Sequence, residues 1–231
     1  MNDSATGFGE ILVSSRSLDE YRAMFALTDA DLRRRILDCP GGAAGFTAEV
    51  CDLGGDVTAC DIAYFDDGVA RVAATAVAEA DRGNRYVRDH ADAYRWSFFA
   101  DPDAHLRARR GSAQRFAAHT ALAPDRYVAA RLPALPFADN SFDLVLSSHL
   151  LFSYPDDLDY DFHRRALTEL ARVATTEFRV FPLVAIGSPT RYPRLDDLIA
   201  ELSAAGVESA IVDVDYEFQA GANQMLVCTV R

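Results

Sequence analysis

The chain has 231 residues, half of them hydrophobic, and a formal net charge of -12 from 35 acidic and 23 basic residues. That length and apolar content exclude a disordered chain and suffice for a single domain over 1–231 with a sizeable core. The acidic balance disfavours a nucleic-acid partner, because phosphate backbones are repelled.

Met1 to Ser15 is mixed, with Gly7 and Gly9 breaking any early element, and reads as a loosely held arm without the charged-then-apolar pattern of a secretory leader. Ser17 and Glu20 form a capping-box signature for a helix whose apolar face is Tyr21, Met24, Phe25 and Leu27. Such a helix covers a sheet or closes over a ligand. The run Arg33-Arg34-Arg35 reads as solvated. Ile36 and Leu37 end an apolar strand. Gly41, Gly42, Ala43, Ala44 and Gly45 follow with almost no side-chain bulk, so backbone can approach a ligand and the next helix can aim its first N–H groups at it. Phe46, Val50 and Leu53 give that helix an apolar side, and Val57 to Cys60 is a second buried strand.

The second strand ends in Asp61, about 23 residues after Asp38. An acid at that tip of a βαβ unit is suited to the hydroxyls of a ribose. The strict G-x-G-x-x-G spacing of dinucleotide sites is missing, and Asp38 before the turn would repel a pyrophosphate. It would welcome a ligand with a cationic amino group; bracing of the turn by Asp38 is the other reading.

Some 60 residues separate Asp61 from the next clear strand, Arg126 to Ala130. Val69 to Ala80 and Asp103 to Leu122 read as helices. Between them, Asn84 to Phe99 carries Tyr86, His90, Tyr94, Trp96, Phe98 and Phe99. The block at about 65–125 reads as a helical insertion above the strand tips, its aromatic residues either walling a pocket or forming the insertion's own core. Asp139-Asn140-Ser141 is a turn, and Phe142 to Ser147 a strand buried on both faces. Ser148 and His149 fall at its carboxyl end, where open α/β sheets bind ligands. A long amphipathic helix over Asp157 to Ala174 follows, then a strand from Phe178 that ends or bulges at Pro182. Leu195 to Ala205 is a helix stopped by Gly206. Glu208 to Phe218 and Gln224 to Val230 form a terminal hairpin around Ala220-Gly221-Ala222-Asn223.

No apolar run approaches the roughly 18 residues that a membrane span needs. Cys39, Cys51, Cys60 and Cys228 form no C-x-x-C or C-x-x-H, so neither a metal site nor a disulfide framework is expected. A reducing cytoplasm fits that cysteine usage.

Three blocks resemble the class I S-adenosylmethionine-dependent methyltransferases: Ile36 to Ala44, Val57 to Asp61, and Leu135 to Val145. The resemblance implies a Rossmann-like three-layer α/β sandwich, with a seven-stranded, mostly parallel sheet and an antiparallel C-terminal hairpin strand. It implies that Asp38, Pro40, Gly41, Gly42 and Ala43 hold the methionine part of S-adenosylmethionine and Asp61 its ribose. Ile62, Arg131 and Leu132 would flank the adenine, and Ser148 and His149 would border the methyl group and its acceptor. Pro40 and Ala44 replace glycines of the family's turn, and Arg131 stands where many members have an aspartate.

The function so implied is in-line methyl transfer to a small-molecule acceptor, with His149 as candidate base where the acceptor needs a proton removed. A histidine that only hydrogen-bonds backbone at the strand end is the alternative. His90 and His163 are lesser candidates. Three other functions compete: methylation of protein or RNA docked on Arg107, Arg109, Arg110 and Arg115; cofactor binding without turnover; and an NAD(P)-dependent oxidoreductase.

Overall fold

The computed structural model describes residues 13–230, so the expectations for Met1 to Leu12 lie outside the described residues. Strands β1 (Arg35–Asp38), β2 (Asp56–Asp61), β3 (Tyr127–Ala129), β4 (Phe142–Ser148), β5 (Ala174–Phe181), β6 (Glu208–Asp213) and β7 (Gln224–Thr229) form one sheet, ordered β3-β2-β1-β4-β5-β7-β6. Pairing is parallel from β3 through β5, and β7 runs antiparallel between β5 and β6. The order reverses between β1 and β4, which makes the carboxyl ends of those strands the place for a ligand.

Successive residues of a strand face opposite sides, and the core divides accordingly. On one face Leu37, Val145, Phe178 and Val180 pack with α5 (Tyr160–Val173) and α6 (Leu195–Ala204). On the other, Ile36, Val57, Leu144 and Leu146 pack with α1 (Leu18–Phe25) and α2 (Phe46–Asp52). The insertion consists of α3 (Gly68–Asp89) and α4 (Pro102–Leu122), packed against each other, and α4 also lies against α2. Asp101 caps α4 by accepting the Ala104 N–H at 2.7 Å, and Pro102 opens it.

Several boundaries differ from expectation, among them α3, which runs on to Asp89, past the expected end at Ala80. Helix α5 starts at Tyr160 because Asp159 is its cap, accepting the Phe162 N–H at 2.7 Å. Strand β5 starts at Ala174, four residues before the apolar run. Strand β6 stops at Asp213, so the hairpin connection is longer than its Gly-Ala centre; Tyr216 and Phe218, buried within it, belong to the second core cluster. Leu53 falls past the end of α2 and is 67% exposed. The arginine run is not simply solvated either: Arg34 is half-buried and bridges Asp31 and Glu177 at 3.2 and 2.9 Å.

Candidate functional site

The β1–α2 turn is built from backbone. Gly41 N–H donates to the Cys60 carbonyl at 2.9 Å, Gly42 N–H to Asp61 Oδ2 at 2.8 Å, Ala43 N–H to the Ser14 carbonyl at 3.2 Å, and Ala44 N–H to the Gly41 carbonyl at 3.1 Å. Gly45 N–H donates to the Arg16 carbonyl at 2.9 Å and to Ser112 Oγ at 2.8 Å. Gly42 has a φ of 53°, and a side chain there would approach the Ser14 carbonyl to 3.2 Å. A Cβ on Gly41 would meet Ala59 Cβ at 2.8 Å. Glycine is therefore needed at both positions. Every N–H from Gly41 to Gly45 has an acceptor, so the turn itself offers no free donor to a phosphate.

Asp61 lines the opening above this turn. Its second oxygen accepts the Ala63 N–H at 2.8 Å, so each oxygen carries one backbone donor and keeps further acceptor capacity. Burial pushes its carboxyl up, and the two N–H bonds oppose that. Asp38 stands differently. It is fully buried, both oxygens accept the Tyr21 hydroxyl at 3.0 and 3.1 Å, and burial pushes its carboxyl well up against the effect of that bond. Asp38 does not line the cavity, and neither does Ala43, which is buried with Ala59, Tyr64 and Phe116. The Asp38 carboxylate is bonded to the Tyr21 hydroxyl of α1 rather than to the turn, and Tyr21 takes its place on the cavity wall.

Pro40, Gly41, Gly42, Asp61, Ile62, Arg131, Leu132, Ser148 and His149 all line one cavity of about 490 Å³, within the range of ligand sites. Ile62 is 61% exposed at its rim. His149 has a φ of 55°; its backbone N–H donates to the Phe181 carbonyl at 2.7 Å, and Nδ1 lies 2.8 Å from Ser148 Oγ. Burial, then the cations Arg16 and Arg109, hold its imidazole well below the ordinary value, so the ring is neutral at pH 7. His163 is buried in α5: Nε2 accepts the Phe152 N–H at 3.0 Å, and Nδ1 lies 2.7 Å from the Asp159 carbonyl. It holds the loop after β4. His90 lies outside the cavity, stacked on Tyr86 with centroids 4.1 Å apart.

The far wall contains residues that the sequence reading missed. The β6–β7 connection is laced to the insertion by Arg95 N–H to the Phe218 carbonyl (2.7 Å) and Ala220 N–H to the Ala93 carbonyl (3.1 Å). Tyr94 and Trp96 pack on Phe218, with centroids 4.7 and 5.5 Å apart. Of the insertion's aromatic residues Tyr94 lines the cavity with Phe218, while Trp96, Phe98 and Phe99 pack with the hairpin loop in the core. Gln219 clamps the segment after β5, donating to the Ala185 and Ser188 carbonyls at 2.8 and 3.1 Å.

Arg109 is buried, not part of a docking face. It ion-pairs with Glu20, which also accepts the Tyr216 hydroxyl at 3.1 Å. Burial, the largest effect, works against its charge, but Glu20 and Tyr216 together outweigh it and Arg109 is held above its ordinary value. His105 Nδ1 accepts the Asn84 amide N–H at 2.9 Å, and burial and the neighbouring arginines push the ring down to about 2. A signal for both was present in α4. His105, Arg109, Ser112, Phe116 and Thr120 recur at helical spacing and form its buried stripe.

Residues 103–177 match the family model described as a methyltransferase domain. That segment runs from α4 into β5 and holds Ser148 and His149, but not the glycine turn. An uncharacterized protein of Methanocaldococcus jannaschii is 27% identical over 220 residues, covering 94% of this chain and 96% of its own. Among solved structures, the chain is similar to a SAM-dependent methyltransferase from Aquifex aeolicus (13% identity, 93% of this chain and 89% of that one, TM-score 0.48). It is also similar to the magnesium protoporphyrin IX methyltransferase of Synechocystis, solved with bound SAH (15% identity, 93% and 82%, TM-score 0.48). The matched segment spans less than half of the chain, and over it the chain is similar to a methyltransferase domain; the sheet around it has the reversed β7 and the acid at the β2 tip. Among the described residues no helix is long and apolar enough to cross a membrane.

Proposed function

We propose that the protein is an S-adenosylmethionine-dependent methyltransferase for a small-molecule acceptor, built as one domain over 1–231 with the 65–125 insertion as its cap. The observation that carries this reading is a single cavity running from Gly41, Gly42 and Asp61 to Ser148 and His149 beneath that cap. The residues present fit the cofactor. Asp61 has acceptor capacity left for ribose hydroxyls, the side-chain-free turn admits close approach, and Ile62 and Leu132 offer apolar faces for a flat base. Arg131 offers no acceptor, so an adenine amino group there would need a backbone carbonyl.

Bound there, the cofactor supplies an already activated methyl group on a cationic sulfur. The chain then has to orient the acceptor in line and keep water out, which the laced insertion and hairpin loop do. His149, beside Ser148, is the candidate group to take a proton from an acceptor hydroxyl or amine, against the burial and the two cations that disfavour its protonated form. Two features count against other functions. The paired N–H groups of the turn do not suit the pyrophosphate of a nicotinamide cofactor, and the burial of Arg109 removes the centre of a macromolecule-docking face.

Calorimetric titration with S-adenosylhomocysteine tests the reading. One-to-one binding is expected, with none of NADH or NADPH; no binding of S-adenosylhomocysteine would overturn it.

A further inference from the structure

Three arginines line this cavity: Arg131 is exposed at the glycine-turn end, and of the two at the aromatic end only one is neutralised. Arg109 is paired with Glu20. Arg16 makes no ion pair among the described residues, although the Glu20 and Asp38 carboxylates lie within electrostatic reach of it. Its backbone is tied down, the carbonyl accepting the Gly45 N–H at 2.9 Å and the Ser112 hydroxyl at 2.7 Å. Its guanidinium lines the cavity: Nη1 donates to Ser14 Oγ, while Nε is buried with no partner among the described residues. A half-buried guanidinium whose Nε is buried without a partner is costly, and a fixed backbone prevents the side chain from leaving cheaply.

The surroundings of Arg16 belong in part to the turn end, through Tyr21 and Asp38, and for the rest to the aromatic end. It lies within electrostatic reach of His149, Tyr94, Tyr154 and His105, which come from the loop after β4 and from the insertion. His105 stacks on Phe218 with centroids 4.9 Å apart, which makes a flat apolar wall beside the cation. On the methyltransferase reading, a sulfonium enters the same enclosed space. Two cations in a poorly screened site repel, and an anion between them offsets both. The planar fork of a guanidinium matches a carboxylate with two parallel bonds.

We propose that the acceptor is an anionic, ring-bearing small molecule whose carboxylate is received by Arg16, with its ring against the His105–Phe218 wall. This rests on the methyltransferase reading, and the α-carboxylate of the cofactor is the rival source of the same chemistry.

The test is calorimetric titration of the protein, with and without saturating S-adenosylhomocysteine, using benzoate and its neutral counterpart benzamide as probes. Wild type is expected to bind benzoate at least about tenfold more tightly than benzamide, the order of one charge-assisted bidentate contact. Arg16→Gln should abolish that preference and Arg16→Lys keep part of it, while S-adenosylhomocysteine binds all three proteins within about twofold, which also verifies folding. The proposal is overturned if wild type binds neither probe or both equally, or if Arg16→Gln keeps the preference. It is also overturned if Arg16→Gln weakens S-adenosylhomocysteine about tenfold but leaves 5′-methylthioadenosine, which lacks the amino-acid end, unaffected; the guanidinium then serves the cofactor. A wild-type protein that ignores S-adenosylhomocysteine yet prefers benzoate supports the anion site and sinks the methyltransferase reading instead.

Discussion

The two ends of the cavity are made in different ways. The glycine-turn end comes from one contiguous stretch, Asp38 to Tyr64, with Arg131 and Leu132 added from beyond β3, and it is held by backbone bonds to Asp61 and by the Tyr64 hydroxyl on the Gly42 carbonyl at 2.5 Å. The aromatic end is assembled from Arg16, Tyr94, His105, His149 and Phe218, which lie far apart in the chain, and is held by side chains and one buried ion pair. An end made locally depends on turn chemistry; an end made from distant parts depends on the partners that bring them together.

The ion pair gives the largest contrast. Arg109→Met leaves the Glu20 carboxylate buried and unpaired, and should destabilise the protein by about 3–5 kcal/mol in urea unfolding. The double variant Glu20→Met/Arg109→Met should recover much of that loss; a double variant no better than the single would deny that the pair, rather than the volume, joins the aromatic end. Next comes the turn end: Asp61→Ala should weaken S-adenosylhomocysteine binding by about 1–3 kcal/mol through lost charge-assisted bonds to ribose. Unchanged affinity by calorimetry would detach Asp61 from the nucleoside.

Acidification yields a smaller effect. The imidazole of His105 is depressed to about 2 in the folded chain, so below pH ~6.5 only the unfolded chain takes up that proton. The stability it contributes is fully present above the unfolded value and is lost as pH falls below it, at about 1.4 kcal/mol per pH unit. Between pH 7.5 and 5.5, wild type should therefore lose about 1 kcal/mol more than His105→Gln in urea unfolding. Equal losses would mean that His105 is not shielded by the aromatic wall. The smallest effect is expected from His149→Ala, whose S-adenosylhomocysteine affinity should stay within about twofold of wild type because the ring is assigned to the acceptor side. A large loss would move His149 into the cofactor's part of the cavity.

The same contrast explains what could be read from the chain. Strands β1, β2 and β4 were legible because parallel strands buried on both faces are continuous apolar runs, and the bare turn between the first two needs glycine for steric reasons. Ser148 and His149 were legible because a strand's end follows from its run. Asp38 was legible as an acid at the turn but not as one covered by Tyr21, since nothing in either local pattern says that α1 reaches that far. The alternation from Val214 to Phe218 imitated a strand; Tyr216 and Phe218 are apolar because they plug the wall beneath the insertion. Arg109 was counted with its neighbours by charge, although its position on the stripe of α4 separates it from Arg107 and Arg110. Arg16 has no local signature, because its importance comes from the ion pair it lacks.

Glu20 closes the capping box of α1, accepting the Ser17 N–H at 3.2 Å with the same oxygen that meets Arg109. The start of this helix is therefore fastened to residues some ninety and two hundred positions downstream. Fraying of its first turn, ordinarily an independent and nearly free event, here requires breaking the tertiary clasp as well. Amide exchange at the head of α1 should consequently be as slow as in the central strands, and the opening of the cavity and the melting of this helix should behave as a single cooperative unit.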